Sequence, residues 1–311
     1  MQDGHAGTTG GGWAEKDSEE AAARQRHIGG GRVKAFWAAR RGPCLFQPFH
    51  DIVRLCKKGA VFSKTTSLAF RLMPSVHLAA LLTAVLLVPM SGRGHIASFE
   101  GDFVLFAYLL AAARFSMIAG ALETGSPFEG MGASREAAFA VFAEPAFFML
   151  AGAMVLAGGK ADFVTMVSAF DGRAVLTTLA VLSLFIMVLL EGARIPVDDP
   201  ATHLELTMIH EAMILDHSGP DLAMLQYGAA LKTVLVSSLL VLVVLPEQLF
   251  AGSAGPWLRL ASTAGGVCVV AALIGTLESF MARLRMTHVP QFVLLMFSVS
   301  LVALVSVLLL F

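Results

Sequence analysis

Seven stretches of the chain stay predominantly apolar for close to twenty positions, the length a helix needs to cross a bilayer. They cover roughly Ser67–Met90, Asp102–Leu122, Glu136–Leu156, Arg173–Leu190, Gly228–Phe250, Trp257–Leu277 and Val289–Phe311. The pattern predicts an all-α fold: a polytopic integral membrane helix bundle with about seven transmembrane helices. Upstream of it, Leu45, Phe46, Phe49, Ile52, Val53 and Leu55 recur at helical spacing beside Arg54, Lys57 and Lys58. That stripe suits an amphipathic helix lying in the interface on anionic headgroups; a solvated basic loop is the alternative.

The chain divides into a polar, glycine-rich extension (1–31), the interfacial basic helix region (32–66) and a transmembrane domain (67–311) with a polar loop at 191–227. Gly10-Gly11-Gly12 and Gly29-Gly30-Gly31 bracket a charged run in the extension. So little apolar surface cannot offset the entropy of ordering it, and it reads as disordered. It lacks the apolar h-region of a signal peptide.

Composition agrees with a membrane setting. Hydrophobic residues make up 56% of the chain and charged ones 14%, against roughly 25% charged in soluble domains. The net charge of -1 leaves no basic excess for a phosphate backbone, so no nucleic-acid partner is expected. Cys44, Cys56 and Cys268 stand apart with no C-x-x-C pair, which supports neither a disulfide framework nor a cysteine-bound metal or cluster.

The distribution of Lys and Arg orients the bundle. Arg40, Arg41, Arg54, Lys57, Lys58, Lys64, Arg135, Arg194, Arg283 and Arg285 fall in connections on one side, and only Arg93, Lys160 and Arg173 on the other. The first side should be cytoplasmic. The basic helix, the Gly-rich connection Glu123–Arg135 and the loop 191–227 then share that face.

Ionisable groups inside apolar spans mark functional candidates, because they are costly there unless paired or wetted. Arg71, Lys232 and Glu278 sit where they can snorkel to the headgroups. Arg114 and Glu144 lie deeper, and Pro145 after Glu144 opens the helix locally. Two readings stand for them: a structural Arg–Glu clamp, or a proton-carrying carboxylate. In the third connection, Gly125, Gly130 and Gly132 with Pro127 predict a tight loop that neighbours can approach closely, and Ser134 is placed to cap the next helix. The glycines do not match a phosphate-binding spacing.

The densest chemistry lies between Leu190 and Asp221, where Glu191, Arg194, Asp198, Asp199, His203, Glu205, His210, Glu211, Asp216 and His217 crowd together. Pro196 and Pro200 predict an extended loop over Ile195–Asp199. A helix from Ala201 would align His203, Thr207, His210, Ile214 and His217 on one face. The H-E-x-x-H metal spacing fails after His210-Glu211, and no G-x-S-x-G turn accompanies the histidines. What remains is a titratable surface that relays protons or docks a soluble partner.

Three segments carry a family likeness: G-P-C-L-F-Q-P-F-H-D-I-V-R-L (42–55), A-L-E-T-G-S-P-F-E-G-M-G-A-S-R-E (121–136) with A-E-P-A (143–146), and E-G-A-R-I-P-V-D-D-P-A-T-H-L-E-L-T-M-I-H-E-A-M-I-L-D-H-S-G (191–219). They resemble the membrane-anchor subunit of group 4 energy-converting nickel–iron hydrogenases, the formate hydrogenlyase and hydrogenase-4 type, which is similar in turn to subunit 1 of respiratory complex I. Family members start with a transmembrane helix where Met1–Gly31 stands here. Ala201 and His203 replace acids of the complex I run, which speaks against quinone binding.

The resemblance implies a non-catalytic membrane subunit of an oxidoreductase complex in the inner membrane, with its motif loops cytoplasmic. Such a subunit anchors a soluble module and couples electron transfer to proton or sodium translocation. The nickel–iron centre and iron–sulfur clusters belong to the hydrogenase large and small subunits and the iron–sulfur subunits, with no cofactor on this chain; antiporter-like membrane subunits and the lipid bilayer complete its partners. Glu144, Glu191, Asp198, Asp199, His203, Glu205, His210 and Glu211 become proton-coupling candidates. Arg114, Arg135 and Arg194 become their charge partners, with Arg135 and Arg194 expected to grip carboxylates in bidentate fashion. Gln47, Asp51, Arg54, Lys57 and Lys58 become partner-docking candidates. The competing readings are subunit 1 of a complex I type NADH:quinone oxidoreductase and a stand-alone secondary transporter, the latter weakened by the lack of an internal repeat.

Overall fold

A computed structural model describes residues 31–37, 39, 42, 44, 46–62, 66–90, 98–168, 173–198, 208–245, 255–281 and 288–309. In chain order the helices are α1 (Gly31–Trp37), α2 (Gln47–Cys56), α3 (Leu68–Leu87), α4 (Asp102–Glu123), α5 (Pro127–Gly158), α6 (Phe163–Ser168), α7 (Ala174–Glu191), α8 (His210–Met213), α9 (Gly219–Val244), α10 (Gly255–Phe280) and α11 (Val289–Leu308). Among the described residues there is no strand. The expected seven spans are α3, α4, α5, α7, α9, α10 and α11, each long and apolar enough to cross a membrane. The extension 1–30 lies outside the described residues.

Two spans begin earlier than their apolar stretches predict. Helix α5 starts at Pro127 and runs for 32 residues, about 48 Å at 1.5 Å per residue, so most of the glycine-rich connection is helix rather than loop. Pro127 suits a first helical turn, where its missing N–H leaves no bond unmade. Ser134 is therefore inside α5, donating to the Met131 carbonyl at 2.9 Å, rather than capping a helix. Helix α9 likewise starts at Gly219, with Pro220 in its first turn.

Helix α3 packs on α4 and α9, α5 on α4 and α11, and α7 on α9 and α11. The largest buried side chains along these seams include Phe106, Leu81, Leu150, Leu235, Leu242 and Met296. On one side of the bundle Asp102, fully buried, accepts from the Phe163 amide at 3.0 Å and so fixes α6 to the start of α4.

At the opposite ends of the helices three contacts gather the connections on one face. Trp37 of α1 meets Phe280 of α10 edge-on at 5.0 Å. The Ser218 hydroxyl accepts from the Val61 amide at 2.9 Å. Buried Glu129, in the first turn of α5, accepts from the Asp216 amide at 2.8 Å. Gly219 makes this junction possible, since its φ is +58° and an added Cβ would fall 2.8 Å from the Gly59 carbonyl oxygen.

Candidate functional site

Arg114 is the hub. It projects from α4 with 8% of its side chain exposed and donates Nε to Glu136 at 3.1 Å and Nη1 to Glu144 at 2.6 Å. Nη2 engages Glu191 at the C-terminal end of α7. Lys232, buried on α9, pairs with the other carboxylate oxygen of Glu191. Two cations thus bind three carboxylates drawn from α5 and α7. Exposure grades outward: 2% for the Glu191 side chain, 21% for Glu136 and 42% for Glu144.

This arrangement holds Glu144 against Arg114 on one side and lets it reach a groove on the other. It also corrects the snorkelling expectation for Lys232 and Glu278. Lys232 lies thirteen residues into α9, about 20 Å along it, and turns inward because Glu191 offers a buried counter-charge. Glu278 pairs with Arg194 at 3.7 Å. Arg71 stays exposed and rests its guanidinium 4.3 Å over the Phe62 ring.

Beside the hub is a cavity of about 20 Å³, walled by His77, Glu136, Glu191, Asp198, His210 and Lys232 among others. That is room for a single water. His77 donates Nδ1–H to the Ala113 carbonyl at 2.8 Å, since a carbonyl can only accept, and this fixes the ring. Its imidazole lies flush against Gly228 of α9, where an added Cβ would fall 2.6 Å from the ring.

The central loop differs from its expected shape. Ile195–Asp199 was expected to be extended; up to Asp198 it is instead a tight turn with a cis Ile195–Pro196 bond, in which the Arg194 carbonyl accepts from the Val197 and Asp198 amides. The turn buries Ile195, Val197 and Asp198. One Asp198 oxygen accepts from the Ile209 amide at 3.2 Å and the His210 amide at 3.1 Å. These bonds satisfy amides at the start of α8, so a helix begins afresh at His210. It ends at Met213, and the expected alignment of His210, Ile214 and His217 on one long helix does not occur.

His217 instead turns into the bundle and stacks on Phe70, with ring centroids 4.1 Å apart and planes 2° from parallel. Burial pushes it down to about 4. His210, beside Asp198, is pushed down to about 3 by burial first and then by the charges of Lys232, His77 and Arg194. Both are neutral imidazoles at neutral pH. Glu211 is half-buried next to His210. Asp199, His203 and Glu205 lie outside the described residues.

Among the described residues Arg135 grips no carboxylate, in contrast to the bidentate pairing expected of it. Its Nη1 donates to the Met208 carbonyl at 3.1 Å and its Nη2 lies 2.8 Å from the Met131 sulfur, which anchors the loop's return to α5 through backbone. Gly132, one turn earlier, lets that strand of loop approach: an added Cβ would sit 2.9 Å from the Ile209 carbonyl oxygen. Arg54 on α2, and Lys57 and Lys58 just after it, are exposed. Asp51 is buried and accepts from Gln47 Nε2 at 3.2 Å.

Glu136 carries no distinguishing signal in the sequence, His77 stands out there only as an ionisable group within the first span, and Lys232 was expected at the headgroups rather than in the hub. Lys232 reads as a helix-end residue when its span is taken to start at Gly228 rather than Gly219, and Glu136 reads as an ordinary first-turn acid when α5 is taken to start there rather than at Pro127. Among the described residues no group of three His, Cys, Asp or Glu side chains is placed to hold a metal. Cys44, Cys56 and Cys268 are free and exposed.

Comparison with known proteins adds the relatives. The family model described as NADH dehydrogenase matches residues 30–308. Hydrogenase-4 component C of Escherichia coli (strain K12) is 33% identical over 218 residues, which are 69% of this chain and 68% of that protein. Formate hydrogenlyase subunit 4 of the same organism is 29% identical over 287 residues, 86% of this chain and 89% of its own length. Among solved structures, a chain of the membrane-bound sulfane sulfur reductase, an archaeal respiratory membrane complex, superposes with a TM-score of 0.75 at 16% identity, covering 95% of this chain and 99% of that one. At that identity the likeness is one of fold.

Proposed function

The chain belongs to the NADH dehydrogenase family, and from that premise we propose that it is the membrane subunit of an energy-converting hydrogenase complex of the formate hydrogenlyase or hydrogenase-4 type. In this reading it anchors a soluble nickel–iron and iron–sulfur module on the face that carries α2, α8 and the turn at Pro196. It then couples electron transfer in that module to translocation of protons or sodium ions. The likeness to hydrogenase-4 component C and formate hydrogenlyase subunit 4 supports the complex type. The excess of Lys and Arg on the motif side supports a cytoplasmic placement of that face in an inner membrane.

One observation carries the coupling role: the chain of polar and charged groups from Asp198 and His210 at the loop, across the water-sized cavity, to buried Glu191, Lys232 and Arg114, and out to Glu144. A buried cluster with more carboxylates than cations holds its protons sensitively to nearby charge. An electron arriving in a module docked at the loop alters the potential felt by Asp198, with Asp199, Glu205 and His203 in the same loop contributing. Glu191 and Arg114 pass the change inward by shifting their shared pairing, and Glu144 exchanges a proton at the groove. Glu211 stands beside His210 at the receiving end.

The redox groups are assigned to partner subunits: the hydrogenase large and small subunits and iron–sulfur subunits, with antiporter-like subunits in the membrane. No quinone is assigned to this chain, because Ala201 and His203 stand where complex I has acids. Purifying the chain in mild detergent tests the assignment. It should bring with it a large subunit that keeps nickel-ligating cysteines; a chain that purifies alone, or with NADH-oxidising subunits, contradicts it.

A further inference from the structure

The groove that Glu144 reaches is a surface in its own right. It has a volume of about 940 Å³ between α4, α5 and α11. Ala111, Ala137, Ala140 and Gly152 lie on its walls, and small residues let a second helix approach closely inside a membrane. Phe115, Val141 and Phe148 stand around them with much of their surface exposed. Shape alone would suit a lipid chain as well as a protein helix.

Charge decides between them. Within the hub, the formal charges are +2 from Arg114 and Lys232 against −3 from Glu136, Glu144 and Glu191. The surplus negative charge is closest to the outside at Glu144, whose side chain is 42% exposed. A carboxylate facing hydrocarbon is costly by several kcal/mol, and an acyl chain offers it nothing. A second copy of this chain docking by the same face fares no better. Two-fold pairing sets like surface against like, and the groove's one cation, Arg114, is buried and already committed.

We propose that the α4–α5–α11 groove seats a transmembrane helix of a different membrane subunit, and that this helix presents a lysine to Glu144. Lysine fits because its apolar stem can lie along the alanine-lined wall while the ammonium reaches the carboxylate. The pair would balance the hub at +3 and −3. It also gives the proton exchanged at Glu144 a destination outside this chain. The inference rests on the multisubunit reading above and deepens it by naming the contact surface and the chemistry of the partner.

The test uses the complex assembled in its native membrane. A photoreactive amino acid is placed at Val141 or Phe148 in the groove, with Val269 on α10 as a control, and crosslinked peptides are identified by mass spectrometry. Val141 and Phe148 should crosslink to a transmembrane peptide of another subunit that contains a lysine, and Val269 should not. Glu144→Lys should lower recovery of that subunit about tenfold or more through like-charge contact, and exchanging the partner's lysine for glutamate should restore it. Crosslinks to lipid only, to a second copy of this chain, or to a helix without a basic residue would overturn the proposal, as would failure of the charge exchange. The coupling reading fails separately: if Glu144→Gln leaves ion translocation per electron unchanged while the groove still crosslinks to the lysine-bearing helix, docking stands and the relay does not.

Discussion

Replacing Arg114 by methionine removes the guanidinium that Glu136, Glu144 and Glu191 share while keeping most of its apolar volume. Taking one partner out of a buried ion pair costs about 3–5 kcal/mol. Two features reduce that figure: Glu191 keeps Lys232, and Glu144, at 42% side-chain exposure, is partly screened. The lower end, about 3 kcal/mol, is expected, which corresponds to a melting point lower by roughly 6–12 °C for a chain of this size. Adding Glu144→Gln returns the hub to its original net charge and should recover about a third to a half of the loss through coupling between neighbours. Alone, Glu144→Gln should cost less than about 1 kcal/mol. The assay is thermal unfolding of the full-length chain in detergent, followed by tryptophan fluorescence. If Arg114→Met melts within about 2 °C of the parent, or if Glu144→Gln alone is as damaging, the hub is not organised around Arg114.

Other predictions address the loop and the cavity. Gly228→Ala puts a methyl 2.6 Å from the His77 ring and should cost about 1–3 kcal/mol by overpacking, seen as a lower melting point; an unchanged one would mean the ring is not held there. Asp198→Ala strips the acceptor from the Ile209 and His210 amides and should cost about 0.5–2 kcal/mol, with faster hydrogen exchange at those two amides as the readout. Because the folded pKa of His217 lies at about 4, below its ordinary 6.5, its contribution to stability is complete above pH 6.5. It is lost as the pH falls toward 4, by at most on the order of 3 kcal/mol. His217→Phe keeps the stack on Phe70 and should flatten the fall in melting temperature across that window; an equally steep fall would place the pH response elsewhere.

The seven spans were legible because lipid imposes a simple rule on composition, and Leu, Val, Ala and Phe satisfy it for about twenty residues at a time. Helix ends were less so. Glycine weakens a helix by only about 1 kcal/mol, and contacts with α8 and its flanks outweigh that at Gly132, so α5 runs on through a segment that reads as loop. In the other direction, the apolar spacing around His210 and His217 suggested one helix, yet Asp198 captures the Ile209 and His210 amides and Phe70 captures the His217 ring. Arg114 and Glu144 stood out as charges in grease. Their link to Glu191 and Lys232 did not, since it depends on how four helices pack together and no spacing along the chain records it.

The central claim is that Glu144 and its hub carry charge through the membrane on behalf of a redox module. The most direct measurement is ion translocation per electron in proteoliposomes holding the assembled complex with Glu144→Gln. The account predicts that electron transfer from donor to proton continues while the number of ions moved per electron falls sharply. An unchanged ratio, in an assembly of normal composition, would contradict it.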